Sequence, residues 1–115
     1  MANNIYNIKT LDDFNVILNK HRCVILKAGA DWCDPCQKIE PFFDELINIF
    51  ENDIGIVKIN IDYATDIKRK FRIIKVPYMA NFYNKEITDV INTSDKEIIR
   101  NFINKTKYKH DMLKG

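Results

Sequence analysis

A chain of 115 residues with 46% hydrophobic and 30% charged side chains is long enough to bury one core. Its net charge of +2, with both signs interspersed, gives no basis for a nucleic-acid partner. Three cysteines are too few for a secreted disulfide scaffold, no apolar run reaches membrane-spanning length, and Met1-Ala2-Asn3-Asn4-Ile5 shows no basic-then-apolar leader. These features predict a single domain over 1–115, with a core over about 5–105, working in the cytoplasm and away from membranes. Ile, Lys and Asn make up roughly two-fifths of the chain, above ordinary usage. All three have AT-rich codons, which points to a biased genome such as a parasite's or a large DNA virus's. In the viral case the chain would work in the host cell or the virion.

Residues 5–8 read as a short strand, and Thr10 can cap a helix over 11–20, with Asp13 placed for a capping-box-like contact. The stretch 22–28 is dense in apolar residues, as a central strand covered on both faces requires. An amphipathic pattern (Ile39, Phe42, Phe43, Leu46, Ile47, Phe50) predicts a helix over 33–51, kinked where Pro41 removes a hydrogen bond. Gly55 then separates that helix from a strand over 56–61, and a short helix follows over 64–71. The runs 78–83 and 86–91 form a hairpin joined at Asn84-Lys85. Ser94-Asp95-Lys96-Glu97 is a capping box ahead of a last helix, with Ile98, Ile99, Phe102 and Ile103 as its buried side. The basic, polar stretch 105–115 is predicted to fray. Parallel strands joined by crossovers and then a hairpin make a mixed α/β sheet with helices on both faces.

Trp32-Cys33-Asp34-Pro35-Cys36 carries the chemistry. Two cysteines at this spacing can close a disulfide in a tight turn and so take up or release two electrons. Zinc sites use the same spacing but need four ligands. Only Cys23, His21 and His110 could add to the pair. Cys23 reads as a small buried hydrophobe, His21 as a surface residue or a helix C-terminal charge, and His110 lies in the tail. The local pattern favours redox chemistry, because a β-prone run (Cys23-Val24-Ile25-Leu26) precedes the motif and a helix follows it. The first turn of a helix offers unpaired N–H groups and the positive end of the macrodipole, which stabilise a thiolate. Cys33, at the helix mouth, is therefore the expected nucleophile. Cys36, one turn further in and more buried, is the expected resolving thiol. Pro35 fixes φ early in the helix without losing a needed hydrogen bond.

Over about 11–105 the chain resembles the thioredoxin family. The resemblance is carried by Ala30-Asp31-Trp32-Cys33-Asp34-Pro35-Cys36, Pro41, Lys58-Ile59-Asn60-Ile61-Asp62 and Ile74-Lys75-Val76-Pro77. It implies the thioredoxin fold, a sheet of four to five strands in the order 1-3-2-4-5. It also implies thiol–disulfide exchange on protein substrates, with no metal or organic cofactor in the domain, most simply as a monomeric cytosolic reductase recharged by a thioredoxin reductase. In that frame Cys33 attacks, Cys36 resolves, and Pro77 matches the family's cis-proline facing the pair. The Val76 backbone would hold an extended substrate segment, with Trp32 and Pro35 beside it. A disulfide oxidase or isomerase of the same fold is the alternative enzyme. A redox-idle adaptor that binds a partner in the groove is the alternative from another class.

The chain departs from the family pattern at several positions. Asp34 stands where Gly is common, and its carboxylate opposes a Cys33 thiolate. Lys27 stands where the family has a buried Asp on the central strand, and Lys58 matches the lysine that partners that Asp. Two amines would then meet with no acid between them. Either a neutral Lys27 accepts the Cys36 proton, or a charged Lys27 stabilises thiolate and makes the pair more oxidising. Lys85, Asn92 and Tyr78 replace residues of the family's hairpin and groove, which points to unusual partners.

Overall fold

Apolar density places β2 (Cys23–Gly29) at the centre of a five-stranded sheet of order β1-β3-β2-β4-β5. The computed structural model describes residues 4–50 and 53–114. β1 (Ile5–Asn7) and β2 both run parallel to β3 (Ile54–Asn60). β4 (Tyr78–Tyr83) and β5 (Glu86–Ile91) form the hairpin, and β4 runs antiparallel to β2. Asn84 and Lys85 take φ of 49° and 73°. Two successive left-handed residues are what a tight hairpin turn between twisted strands requires.

Period-2 alternation splits β2 between two cores. Val24, Leu26 and Ala28 face Phe14, Ile17 and Ile67 of α1 (Leu11–Lys20) and α3 (Thr65–Lys70). Cys23 and Ile25 face Ile39 and Phe43 of α2 (Asp34–Leu46), with Ile99, Phe102 and Ile103 of α4 (Lys96–Lys114). Thr10 caps α1 as its sequence implies, accepting the Asp13 N–H at 3.1 Å.

Several boundaries differ from expectation. α2 runs through Pro41 to Leu46 and gives way to a 3-10 turn, Ile47–Ile49; the expected end at Glu51 lies outside the described residues. Gly55 lies inside β3 rather than before it, because the His21 ring packs on it: a Cβ there would come within 2.9 Å of His21 Cδ2. Asp95, not Ser94, caps α4, its Oδ1 accepting the N–H groups of Glu97 and Ile98 at 2.9 and 3.2 Å. Ile98 then faces water, and Ile99, Phe102, Ile103, Thr106 and His110 form the buried stripe.

The expected fraying over 105–115 is corrected as far as Lys114, where that stripe keeps α4 helical. Thr106 is buried against Asn81, whose Nδ2 donates to Thr106 Oγ1 at 2.9 Å. His110 is buried too, with Nε2 2.9 Å from Asp53 Oδ2. His21 is also buried rather than a surface charge, between Tyr6 and Asp53.

Candidate active site

Parallel strands β2 and β3 end on the same side, and their C-terminal loops build the site there. β2 stops at Gly29, and the Cys33 N–H turns back to the Ala30 carbonyl at 3.2 Å. That turn makes Cys33 the N-cap of α2, in extended backbone (φ −92°, ψ 101°). Its Sγ accepts the Cys36 N–H at 3.2 Å, so a sulfur takes the place an N-cap oxygen usually fills. Cys33 and Cys36 are joined as a disulfide, with Cα atoms 5.3 Å apart. Pro35 is the second residue of α2, where its missing N–H costs nothing, and exposed Asp34 is the first. The expected difference in burial is not found: Cys33 and Cys36 are each 4% exposed. Gly29 backs Cys36 closely, since a Cβ there would sit 3.6 Å from Cys36 Sγ.

The Val76–Pro77 peptide is cis and brings the Val76 carbonyl oxygen within 3.8 Å of Cys33 Sγ. Asn92, just past β5, clamps this segment: its Nδ2 donates to the Lys75 and Pro77 carbonyls at 2.9 and 2.7 Å. Trp32 is 66% exposed beside the disulfide, and its indole N–H donates to Asp62 Oδ2 at 3.0 Å. Tyr78, in contrast, is buried in strand packing, and that burial pushes its phenol pKa up.

The thioredoxin family model matches residues 6–105. The chain belongs to the thioredoxin family. It is 26% identical over 100 residues to a thioredoxin of Coprinus comatus, covering 86% of this chain and 94% of that one. It is also 32% identical over 104 residues to a Caenorhabditis briggsae peptide-N(4)-(N-acetyl-beta-glucosaminyl)asparagine amidase, covering 88% of this chain but spanning only 17% of that protein's length. A Plasmodium falciparum thioredoxin structure superposes with a TM-score of 0.81 at 22% identity, covering 87% of this chain and 97% of that one. Family, fold and the Cys33–Cys36 pair identify a thiol–disulfide oxidoreductase.

Behind the disulfide the two lysines are not arranged as the sequence implies. Lys27 and Lys58 are register partners on β2 and β3, facing α2. An acid does lie between them, supplied by the helix. Glu40, one turn after Cys36, accepts from Lys27 through Oε1 and from Lys58 through Oε2, the latter at 2.7 Å. Asp44, a turn further, accepts from Lys58 at 2.6 Å. The expectation of two amines without an acid is thus corrected. Burial disfavours ionised Glu40, but the hydrogen bonds from Lys27 and Lys58 outweigh it and hold its carboxyl below the ordinary 4.5. Burial likewise opposes charge on Lys58, and Asp44 and Glu40 overcome it and raise the amine's pKa.

Lys27, Glu40, Lys58 and Cys36 line one cleft of about 350 Å³, with Gly29, Gln37 and Asn60. Sequence reading missed Glu40 and Asp44. Their signal was the i, i+4, i+8 spacing from Cys36 along α2. Among the described residues, no group of three or more His, Cys, Asp or Glu side chains is arranged to hold a metal.

Proposed function

We propose that the chain is a cytosolic disulfide reductase in which Cys33 attacks and Cys36 resolves. The reading is supported most by Cys33 Sγ: it sits at the N-cap of α2, takes the Cys36 N–H, and lies 3.8 Å from the Val76 carbonyl. In the reduced state Cys33 thiolate attacks one sulfur of a substrate disulfide and releases the other as a thiolate, which takes up a proton. A mixed disulfide joins Cys33 to the substrate. Cys36 loses its proton, attacks Cys33 Sγ and expels the second substrate thiolate, so two electrons pass to the substrate. A thioredoxin reductase then returns the Cys33–Cys36 disulfide to the dithiol.

Val76 offers its backbone to an extended substrate segment. Pro77 and Pro35 shape the floor and Trp32 the apolar shoulder. Asp34, Lys27 and Lys58 tune the thiols. Because Glu40 pairs with both amines, the role of Lys27 is that of a charged neighbour rather than a neutral base. The protein acts as a monomer on disulfide-containing protein substrates, and none of the described helices is long and apolar enough to cross a membrane.

Insulin reduction with dithiothreitol tests the reading. Wild type accelerates precipitation, and Cys33→Ser abolishes the acceleration. Equal behaviour of the two proteins favours the redox-idle adaptor. The reduction potential against glutathione tests the direction: a value well above that of the cytosolic pool makes the chain an oxidase or isomerase instead.

A further inference from the structure

A charged surface beside the disulfide is used by nothing above. Lys68-Arg69-Lys70-Phe71-Arg72-Ile73-Ile74-Lys75 holds five cations in eight positions of a chain whose net charge is +2. All five are exposed, while Ile67 and Ile73 turn inward. Among the described residues, none of the five takes part in a salt bridge. Asp66, two residues before Lys68, is occupied by the N–H groups of Leu11 and Ile67 at 2.9 and 2.7 Å.

The surface is fixed to the body of the protein. Phe71 meets Phe14 and Phe82 edge-on, with ring centroids 5.9 and 5.4 Å away. Arg72, at φ 53°, turns the chain out of α3 towards the cis peptide. Lys68, Arg69, Arg72, Ile73 and Ile74, with Thr65, line a cleft of about 500 Å³, and Ile74 is 86% exposed. Arg72 precedes Val76, which touches Cys33, by four residues, a reach of at most about 14 Å. Asp31, Asp34 and Asp62 are exposed around Trp32 and Cys33, so the surface beside the disulfide carries both signs of charge.

We propose that this surface selects protein substrates whose disulfide is flanked on one side by an acidic segment carrying an aliphatic residue. The inference rests on the reductase reading and adds the substrate class. The carboxylates meet Lys68, Arg69, Arg72 and Lys75, the aliphatic side chain covers Ile74, and the substrate cysteine lies over Cys33. Complementary charge of this kind steers encounter and fixes orientation more than it adds affinity. An acidic peptide fits better than a nucleic acid. A phosphate backbone crossing the site would meet Asp31, Asp34 and Asp62, and it would leave Ile74 uncovered.

Three disulfide peptides differing only in flanking Glu, Gln or Lys residues provide the test, with kcat/KM measured at about 20 and 300 mM salt. We expect the Glu peptide to be preferred over the Gln peptide about five- to tenfold at low salt, the preference falling to about twofold at high salt. The triple variant K68Q/R69Q/R72Q should equalise the two. Equal rates in wild type, or a preference that survives in the variant, overturn the proposal. So does competition by a short oligonucleotide at the concentration of the acidic peptide. Reduction of none of the peptides would count against the reductase reading alone. The surface is then decided by fluorescence anisotropy of the same peptides with Ser for Cys: tighter binding of the Glu peptide supports it, and equal affinities overturn it.

Discussion

Two polar clusters lie at opposite ends of β2, and they do different things with similar parts. Near Gly29, Lys27 and Lys58 share the carboxylate of Glu40, and Asp44 completes the group. Near Cys23, Asp53 joins two imidazoles, its carbonyl oxygen 3.0 Å from His21 Nδ1 and its Oδ2 2.9 Å from His110 Nε2. A carbonyl only accepts, so His21 Nδ1 carries the hydrogen, and in the neutral ring the Tyr6 hydroxyl donates to Nε2 at 2.8 Å. Both clusters tie a helix to the sheet. The first shares its cleft with Cys36. The second lines a separate cavity of about 520 Å³, about 20 Å away along the strand. Similar polar groups therefore stitch the fold in both places, but of the two only the first borders the cleft that Cys36 lines.

The strongest way to break that contrast is Glu40→Ala. It strands Lys27, whose side chain is 7% exposed, without a counter-ion. Removing one partner of a buried pair costs about 3–5 kcal/mol. Glu40 is 36% exposed, so water offsets part of the loss and about 2–3 kcal/mol is expected in urea unfolding. The uncompensated ammonium beside Cys36 favours the reduced, thiolate-bearing pair. The potential should rise on the order of 10–30 mV. An unchanged potential would mean that the cluster is structural only. Adding Lys27→Met should recover most of the stability, since the stranded charge is then gone.

Acid titration sharpens the same point. The Glu40 pKa is depressed in the folded state, so its contribution is present in full above the ordinary 4.5 and is lost as pH falls through the folded value. Wild type should lose stability between pH 4.5 and more acid conditions faster than Glu40→Gln does, and denaturant midpoints across that range measure the difference. Parallel curves would show that Glu40 is not held ionised by its lysines.

How much of this was legible in the chain follows the range of the contacts. The hairpin bounds and the N-cap at Thr10 depend on neighbours a few residues away, and the sequence reading places them as the structure does. The pairing of Cys33 with Cys36 is equally local. Gly55 was misread because glycine usually marks a break. Here it makes room for a ring 34 positions earlier in the chain. Glu40 was missed because the rotation of α2 over β2 and β3 is decided by packing of Ile39 and Phe43, and that rotation carries Glu40 between the two lysines. The end of α4 was missed for a related reason. Thr106 and His110 continue the stripe of Ile99, Phe102 and Ile103, but a count of apolar residues passes over them.

The smallest effect belongs to the far cluster. His110→Ala removes one imidazole from Asp53 and leaves a gap under the last turns of α4. The Asp53 carboxylate is 48% exposed and regains water, so the hydrogen bond itself contributes little. Lost packing of a nearly covered ring dominates, and about 1–2 kcal/mol is expected. Hydrogen exchange should quicken in α4 beyond Thr106 and little elsewhere. The Cys33–Cys36 potential and the insulin-reduction rate should match wild type, because no side chain of this cluster lines the cleft behind Cys36. A shift in potential comparable to that of Glu40→Ala would show that the two ends of β2 are coupled through the strand, and the division between them would fail.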